Sequence, residues 1–445
     1  MKKVLIIIAL IPILVGIILG IIIAVNNGKM PENEMKILKN VFGKVQNQEA
    51  KISDLYIYGN SLNLSGTLNN ISKDNFEGAK IILTNGFEEK LYSLDTNIKD
   101  KTLYFKTSQI NNSILLNGLE EENYYLLLRL KLNNSAKYRY YTLEYSSEEK
   151  LEYYTIAKDG INKKLNVNSS EKKYKKNIYN YISLNMIVEQ LPEDIYDIVI
   201  DAGHGGTDFG EKFGLYKEAD ITLDYAISLE KYLSDNGLKV KLTRDLNNTE
   251  DYTSTNMYNS NGRISVACES KAKYMISLHV NNDSKGTSGF EIYGPCKSNL
   301  NFAKLMADKI KENTSLEYSS NSDNKKQDGV YVRNFTKKLI EQYKINAENK
   351  GYEPYNITID TPYLYTIREV GGIATNAYVD GRNTVYEANK YYNSNIGIEC
   401  YQIELGYIKT DLEKIINEKE NYIKAIGDAI IEQINNWGVD VHLYL

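Results

Sequence analysis

The most informative segment of this chain for its fold is Ile198-Val-Ile-Asp-Ala-Gly-His204-Gly-Gly206. Its apolar start is typical of a buried strand, and the glycines after His204 predict a tight turn. A second stretch, Tyr274-Met-Ile-Ser-Leu-His279-Val-Asn281, places another histidine behind another apolar run. The chain contains only three histidines. Because ligands gather at the carboxyl ends of strands in an open α/β sheet, we expect His204 and His279 to share one crevice.

Outward from this stretch, strands and helices alternate through residues 193–445, which predicts an α/β domain. The expected sheet is mainly parallel, with helices on both faces. The pattern predicts strands at 198–200, 238–243, 274–278, 289–293 and 397–405, and helices around 223–233, 264–267, 301–313, 335–343 and 411–435. Residues 314–395 interrupt the alternation, and we interpret them as an insertion.

Residues 50–167 have apolar side chains at every second position, as at Leu126, Leu128 and Leu130. This period predicts half-buried antiparallel strands and an all-β, sandwich-like domain. The polar residues 168–192, which include Lys172-Lys-Tyr-Lys-Lys176, are interpreted as a solvated linker between the two domains.

The chain begins with Lys2-Lys3 and an uncharged apolar stretch from Val4 to Val25. Such a stretch is long enough to span a bilayer, and no small-residue cleavage site follows Ala24. Residues 1–30 are therefore predicted to be an uncleaved single-pass anchor. The positive-inside bias would leave residues 30–445 outside the cytoplasm.

Net charge and cysteine content exclude other classes of protein. The formal charge is −5 at pH 7, without a strongly basic domain, so nucleic acid is not an expected partner. The three cysteines are far apart and odd in number, so they do not form a disulfide framework.

The polar residues at the strand ends fit a catalytic metal site. A catalytic zinc needs three protein donors and one open position, and His-His-carboxylate is a donor set that hydrolases use. His204 and His279 supply two donors, and Glu218, at the start of the first helix, can face back toward them. Glu404 ends the last apolar strand, where a general base is needed.

At these residues the chain resembles the zinc-dependent N-acetylmuramoyl-L-alanine amidases. The resemblance rests on four motifs in order: Asp201 to Gly206, Glu218, Ser277-Leu-His-Val-Asn281, and Glu404-Leu-Gly406. Thr243-Arg244 and Arg263 also fall where the family has these residue types. The resemblance implies that His204, Glu218 and His279 bind Zn²⁺ and that Glu404 is the general base. It further implies peptidoglycan as substrate, while protein partners stay unknown.

The sequence departs from the family pattern in two places. Cys268 stands where the family commonly has asparagine, and the insertion 314–395 is unusually long. Its position and Gly371-Gly372 suggest the hypothesis of a lid over the zinc.

The expected function is hydrolysis of the amide between N-acetylmuramic acid and L-alanine of the stem peptide. Two alternatives stay open from sequence. One is an inactive wall-binding or regulatory protein with an amidase-like domain, and the other is a zinc carboxypeptidase or related peptidase acting on stem peptides.

Overall fold

The computed structural model describes most of the chain. The described ranges are 32–107, 113–116, 118–133, 135–147, 151–156, 162–247, 262–351, 357–375 and 397–435. Within these ranges no helix is both long and apolar enough to cross a bilayer. The predicted anchor, residues 1–30, lies outside the described residues, and so do His442 and residues 376–396 of the insertion.

In its described residues, the N-terminal part has one α-helix, a short 3-10 helix at Lys73–Asn75 and twelve strands. Helix α1 is Glu32–Phe42. The strands are β1 Ala50–Tyr58, β2 Ser61–Asn69, β3 Phe76–Thr84, β4 Glu89–Ser93, β5 Asp95–Lys99, β6 Thr102–Lys106, β7 Ile114–Leu115, β8 Asn123–Leu132, β9 Tyr138–Glu144, β10 Leu151–Ile156, β11 Asn162–Tyr174 and β12 Asn177–Val188. They run in the order β10-β11-β12-β8-β9-β1-β2-β6-β5, with β3, β4 and β7 attached beside this path. The all-β character predicted for residues 50–167 is confirmed.

Both halves of this sheet contribute to one core. Leu64 of β2, Leu103 of β6 and Leu128 of β8 belong to the same buried cluster. Helix α1, which the sequence did not predict, covers the opposite face of β8: its Phe42 packs in a second cluster with Leu127. Alternate residues of β8 are therefore buried on both sides of the strand.

The prediction of a linker at residues 168–192 was wrong. Residues 168–174 and 177–188 belong to β11 and β12, which pair antiparallel from Lys163 opposite Val188 to Tyr174 opposite Asn177. Ile182, Leu184 and Met186 alternate into the core, and this period of two decides the strand. The lysine run lies at the far turn of the hairpin, where solvent tolerates its charge.

The C-terminal part is built on a seven-stranded sheet. Its strands are β13 Ile198–Ala202, β16 Val240–Leu242, β17 Tyr274–Asn281, β18 Glu291–Tyr293, β19 Lys325–Gln327, β20 Val330–Tyr331 and β21 Glu399–Tyr407. They lie in the order β16-β13-β17-β21-β18-β20-β19. Neighbouring strands among β16, β13, β17 and β21 run parallel, whereas β18 runs antiparallel to β21. The predicted parallel arrangement holds for these four strands, and the whole sheet is mixed.

Helices cover both faces, as predicted. They are α2 Glu218–Asp235, α3 Arg263–Glu269, α4 Asn301–Asn313, α5 Lys337–Lys350, α6 Tyr365–Val370, α7 Leu412–Asn417 and α8 Lys419–Asn435. Helices α2, α4 and α8 pack with Ile198 and Ile200 in one cluster. Helices α3 and α6 pack with Val199 in another. Because side chains alternate along a strand, the two clusters lie on opposite faces of the sheet.

The described part of the insertion 314–395 is built into the domain. Val330 and Tyr331 of β20 are fully buried in the sheet, and Ile367 and Val370 of α6 are buried in the cluster beside Val199. Gly371 and Gly372, the expected hinge, directly follow α6 and are buried. These residues are therefore part of the hydrophobic core of the domain. The hypothesis of a lid over the metal site stays a prediction.

The β-rich part contacts the C-terminal sheet at its amino-terminal edge. The Gly59 N–H, in the β1–β2 turn, donates to the Gly397 carbonyl at 3.2 Å, and Gly397 lies just ahead of β21. The Lys273 ammonium lies 5.1 Å from the ring centroid of Tyr153, and Lys273 directly precedes β17. Both contacts lie at the opposite ends of these strands from His279 and Glu404.

Candidate metal centre

His204 lies in the turn that follows β13. Its φ is +61°, a left-handed conformation that is uncommon for a residue with a side chain and is often found at functional sites. Nδ1 lies 2.9 Å from Asp208 Oδ2, and Nε2 lies 3.1 Å from Glu218 Oε2. Burial alone would lower the pKa of His204, but these two carboxylates raise it to about 9. The same negative charge attracts a cation.

Glu218 is the first residue of α2 and is buried. Its Oε1 lies 3.0 Å from His279 Nδ1 and accepts the Val280 N–H at 2.9 Å, while Oε2 accepts the Glu211 N–H at 2.9 Å. Burial would raise the pKa of Glu218, but the hydrogen bonds with His204 and His279 outweigh it and lower the pKa well below its usual range. The carboxylate is therefore ionised, as a metal ligand must be.

His279 completes the group from the middle strand of the sheet. Its ring centroid lies 5.0 Å from that of His204, and the candidate ligand atoms of the two histidines and Glu218 all lie within 4.8 Å of one another. Within the described part of the chain, the buried Nε2 of His279 has no hydrogen-bond partner. A buried polar atom without a partner is costly unless a ligand satisfies it, so the group fits a metal ion.

Two glycines allow the backbone to come this close to the donors. A Cβ at Gly203 would lie 2.6 Å from His279 Nε2. A Cβ at Gly210, whose φ is +61°, would lie 2.5 Å from Glu218 Oε2. Any side chain at these two positions would displace a candidate ligand.

Glu404 lies on β21 directly beside His279 of β17, because the parallel register pairs these two residues. Its carboxylate accepts a hydrogen bond from Gln402 Nε2 at 2.8 Å. Burial raises the pKa of Glu404 to about 7, against the opposing effect of His279. A carboxyl group with a pKa near neutrality can both accept and return a proton at physiological pH.

Thr243 and Arg263 form hydrogen bonds and an ion pair that stabilise the turn carrying His204. Asp201 is buried and accepts hydrogen bonds from Thr243 and Ser277 at 2.6 Å each, and Arg263 Nη1 lies 3.2 Å from its Oδ1. Arg263 also donates to the His204 carbonyl at 2.8 Å. The buried carboxylate thus joins three segments beneath His204.

Arg244 performs a similar task between β13 and α2. Its guanidinium donates to the carbonyls of Ala202 at 3.0 Å, Gly203 at 2.9 Å and Ala219 at 2.7 Å. These contacts connect the turn that carries His204 to the helix that carries Glu218.

The sequence reasoning missed Asp208 and Glu291. Glu291, on β18, lies directly opposite Glu404 and is fully buried. Its signal in the sequence is the same as that of Glu404: a carboxylate in the otherwise apolar run Phe290-Glu-Ile-Tyr293. The only sign of Asp208 is its spacing four residues after His204.

A bulge at Gly406 completes the sheet edge. His279 pairs with Glu404, but Asn281 pairs with Tyr407, so β21 has one extra residue here. The φ of Gly406 is +150°, which suits glycine. The extra residue turns Tyr407 to the face of the sheet that carries Glu404, and its hydroxyl donates to Glu291 at 2.6 Å.

Comparison with known proteins shows which family the chain resembles. A family model described as N-acetylmuramoyl-L-alanine amidase matches residues 198–436. A germination-specific N-acetylmuramoyl-L-alanine amidase of Bacillus subtilis is 31% identical over 150 residues, which are 32% of this chain and 62% of the relative. A sporulation-specific N-acetylmuramoyl-L-alanine amidase of the same organism is 35% identical over 98 residues, which are 22% of this chain and 34% of the relative. The aligned part thus spans less than two thirds of either relative.

Among solved structures, N-acetylmuramoyl-L-alanine amidase AmiC2 of Nostoc punctiforme covers 55% of this chain and 99% of its own, at 18% identity and a TM-score of 0.33. The family match extends over more than half of the chain and includes His204, Glu218, His279 and Glu404. The chain therefore belongs to the N-acetylmuramoyl-L-alanine amidase family.

Proposed function

We propose that this chain hydrolyses the amide bond between N-acetylmuramic acid and L-alanine in peptidoglycan. The observation that carries the proposal is the convergence of His204, Glu218 and His279, with Glu404 beside His279 on the next strand. Family membership supports the choice of bond.

His204, Glu218 and His279 are the proposed metal ligands, and Zn²⁺ is the proposed ion, since two imidazoles and a carboxylate suit it. When bound, zinc would polarise the scissile carbonyl and make water a stronger nucleophile. Asp208 orients His204 through Nδ1, and a fixed second contact of this kind sets the ring direction of a liganding histidine.

Glu404 is the proposed general base. Its carboxylate would take a proton from the attacking water and then give that proton to the amino group of the departing L-alanine. The pKa of about 7 produced by burial suits both directions of transfer.

The proposed location follows from the sequence. Residues 1–30 would anchor the chain in the cell membrane as a single pass, and the catalytic part would face the wall outside the cytoplasm. Residues 50–188 would then form a β-rich domain between the membrane and the catalytic domain that begins near residue 193. The similarity to a germination-specific and a sporulation-specific amidase supports a substrate in the cell wall.

The decisive experiment separates metal binding from proton transfer. Glu404→Gln is expected to retain bound metal and lose at least about 100-fold in kcat, in the range of general-base contributions. His204→Ala is expected to lose both metal and activity. Metal content by mass spectrometry and release of amino groups from purified peptidoglycan measure the two effects. Near-normal turnover by Glu404→Gln would refute the assigned base.

Product analysis tests the bond itself. New L-alanine amino termini with free lactyl carboxyl groups are expected. Shortened stem peptides would instead assign a peptidase, and unchanged peptidoglycan with a metal-loaded chain would indicate an inactive binding protein.

A further inference from the structure

A hairpin beside the metal centre exposes four large apolar side chains within eight residues. It consists of β14, Lys212–Phe213, and β15, Tyr216–Lys217, joined by a two-residue turn. Leu215 at the turn is 96% exposed, Phe213 46%, Tyr216 48% and Phe209 38%. Single exposed apolar residues are ordinary on a protein surface, whereas a contiguous group marks an interaction site.

The hairpin has two different faces. Phe213 pairs with Tyr216, so both aromatic rings lie on one face. Lys212 pairs with Lys217 on the other face, and their ammonium groups lie 4.1 Å and 4.6 Å from the ring centroid of Phe209. The two lysines therefore lie close to the ring of Phe209, whereas Phe213 and Tyr216 lie on the opposite face of the hairpin and are about half exposed.

The base of the hairpin is attached to a proposed metal ligand. The Glu211 N–H donates to Glu218 Oε2, and the Glu218 N–H donates to the Glu211 carbonyl, both at 2.9 Å. The Ala219 N–H donates to the Phe209 carbonyl at 3.2 Å. A two-stranded hairpin is marginal by itself, so these contacts hold the hairpin beside Glu218.

We propose that the Phe213–Tyr216 face binds a sugar ring of the glycan strand, a reading that rests on the proposed function and adds a substrate contact to it. One face of a pyranose ring consists largely of C–H groups, which are attracted to the negative face of an aromatic ring. In the proposed substrate a sugar lies directly next to the scissile bond, and the hairpin that carries these two rings is hydrogen-bonded at its base to Glu218. Stacking there would add binding energy for the strand that is equal in the ground state and the transition state.

Binding is measured with the full-length chain carrying Glu404→Gln, so that turnover does not consume the ligand. The probe is peptide-free glycan strands, and the test variant is Phe213→Ser/Tyr216→Ser. We expect the dissociation constant to rise roughly 10-fold or more, as the loss of two aromatic contacts implies. The matched control is Phe87→Ser on the β-rich part, where an exposed ring 5.3 Å from the Lys36 ammonium is removed far from the site. This control is expected to bind like the parent.

Hydrolysis is measured separately in chains that retain Glu404. The double variant is expected to raise KM with little change in kcat, as loss of ground-state binding does. Glycan binding through the hairpin by a parent that hydrolyses nothing would reject the proposed function and keep this inference. Unchanged glycan affinity in the double variant would overturn the inference. If the double variant then bound phosphatidylglycerol vesicles more weakly than its parent, the face would be assigned to lipid binding.

Discussion

Two buried glutamates, Glu291 and Glu404, face each other across neighbouring strands, and their hydrogen bonds distinguish their roles. Glu291 accepts five hydrogen bonds, from the side chains of Asn281, Tyr293, Ser319, Asn321 and Tyr407. A carboxylate can accept about four hydrogen bonds through its lone pairs. All acceptor positions of Glu291 are therefore occupied, and it cannot accept a proton from the attacking water. Its contacts instead fix the strand ends around Glu404.

We expect Glu291→Gln to lower both stability and turnover. The amide nitrogen cannot accept hydrogen bonds, so at least one buried donor, such as the Tyr293 hydroxyl, loses its acceptor. An unsatisfied buried donor costs about 1–3 kcal/mol of unfolding free energy. Urea unfolding and kcat on peptidoglycan measure the effects. Glu317→Gln, at an exposed glutamate, is the control, and equal behaviour of the two variants would contradict this role.

At the scale of elements, the bulge in β21 explains the glycine of the Glu-x-Gly motif. A Cβ at Gly406 would lie 3.0 Å from Asp411 Cβ and 3.1 Å from Leu316 Cδ2. Both neighbours are fully or almost fully buried, so they have little room to move. The bulge, and with it the position of Tyr407, depends on the absence of a side chain.

Gly406→Ala is therefore expected to destabilise the fold by about 1–3 kcal/mol through backbone strain. It should also reduce kcat, because Tyr407 would leave Glu291. Gly78→Ala is the control, since a Cβ there meets nothing within 4 Å. Thermal unfolding and peptidoglycan hydrolysis of both variants test the expectation, and wild-type turnover by Gly406→Ala would show that the bulge is dispensable.

At the scale of the whole molecule, the β-rich part and the metal centre lie at opposite edges of the C-terminal sheet. Glu399 begins β21 near the contact with Gly59, and Glu404 lies five residues further along the strand. At about 3.3 Å per residue, the strand separates the two by roughly 17 Å. The contacts of the described β-rich residues with Gly397 and Lys273 therefore lie at the end of the sheet away from the metal centre.

The contact between the two parts depends on Gly397. A Cβ at this position would lie 2.4 Å from Cδ2 of the Tyr58 ring. We expect Gly397→Ala to uncouple the unfolding of the β-rich part from that of the C-terminal part. Calorimetry should then show a second transition at a lower temperature. Gly237→Ala is the control, because its φ of +84° is strained but a Cβ there meets no atom within 4 Å. A single, unshifted transition in Gly397→Ala would show that this contact does not couple them.

The sequence by itself predicted the alternation of strands and helices after residue 193 and the positions of His204, Glu218, His279 and Glu404. Each of these residues lies at or after the end of an apolar run in the sequence or begins a helix, so a local pattern marks it. The same local reasoning failed for residues 168–188, because a lysine run at a hairpin turn resembles a linker when the partner strand is unknown.

Which side chains meet depends on the three-dimensional fold. Asp201 joins Arg263, and Glu291 joins Tyr407, across segments that are distant along the chain. These pairs depend on strand order, register and the bulge at Gly406, and none of these is a local property of the sequence. The residues that carry the proposed chemistry were therefore predictable, whereas the contacts that hold them were not, because pairing between strands is set by the packing of the whole domain.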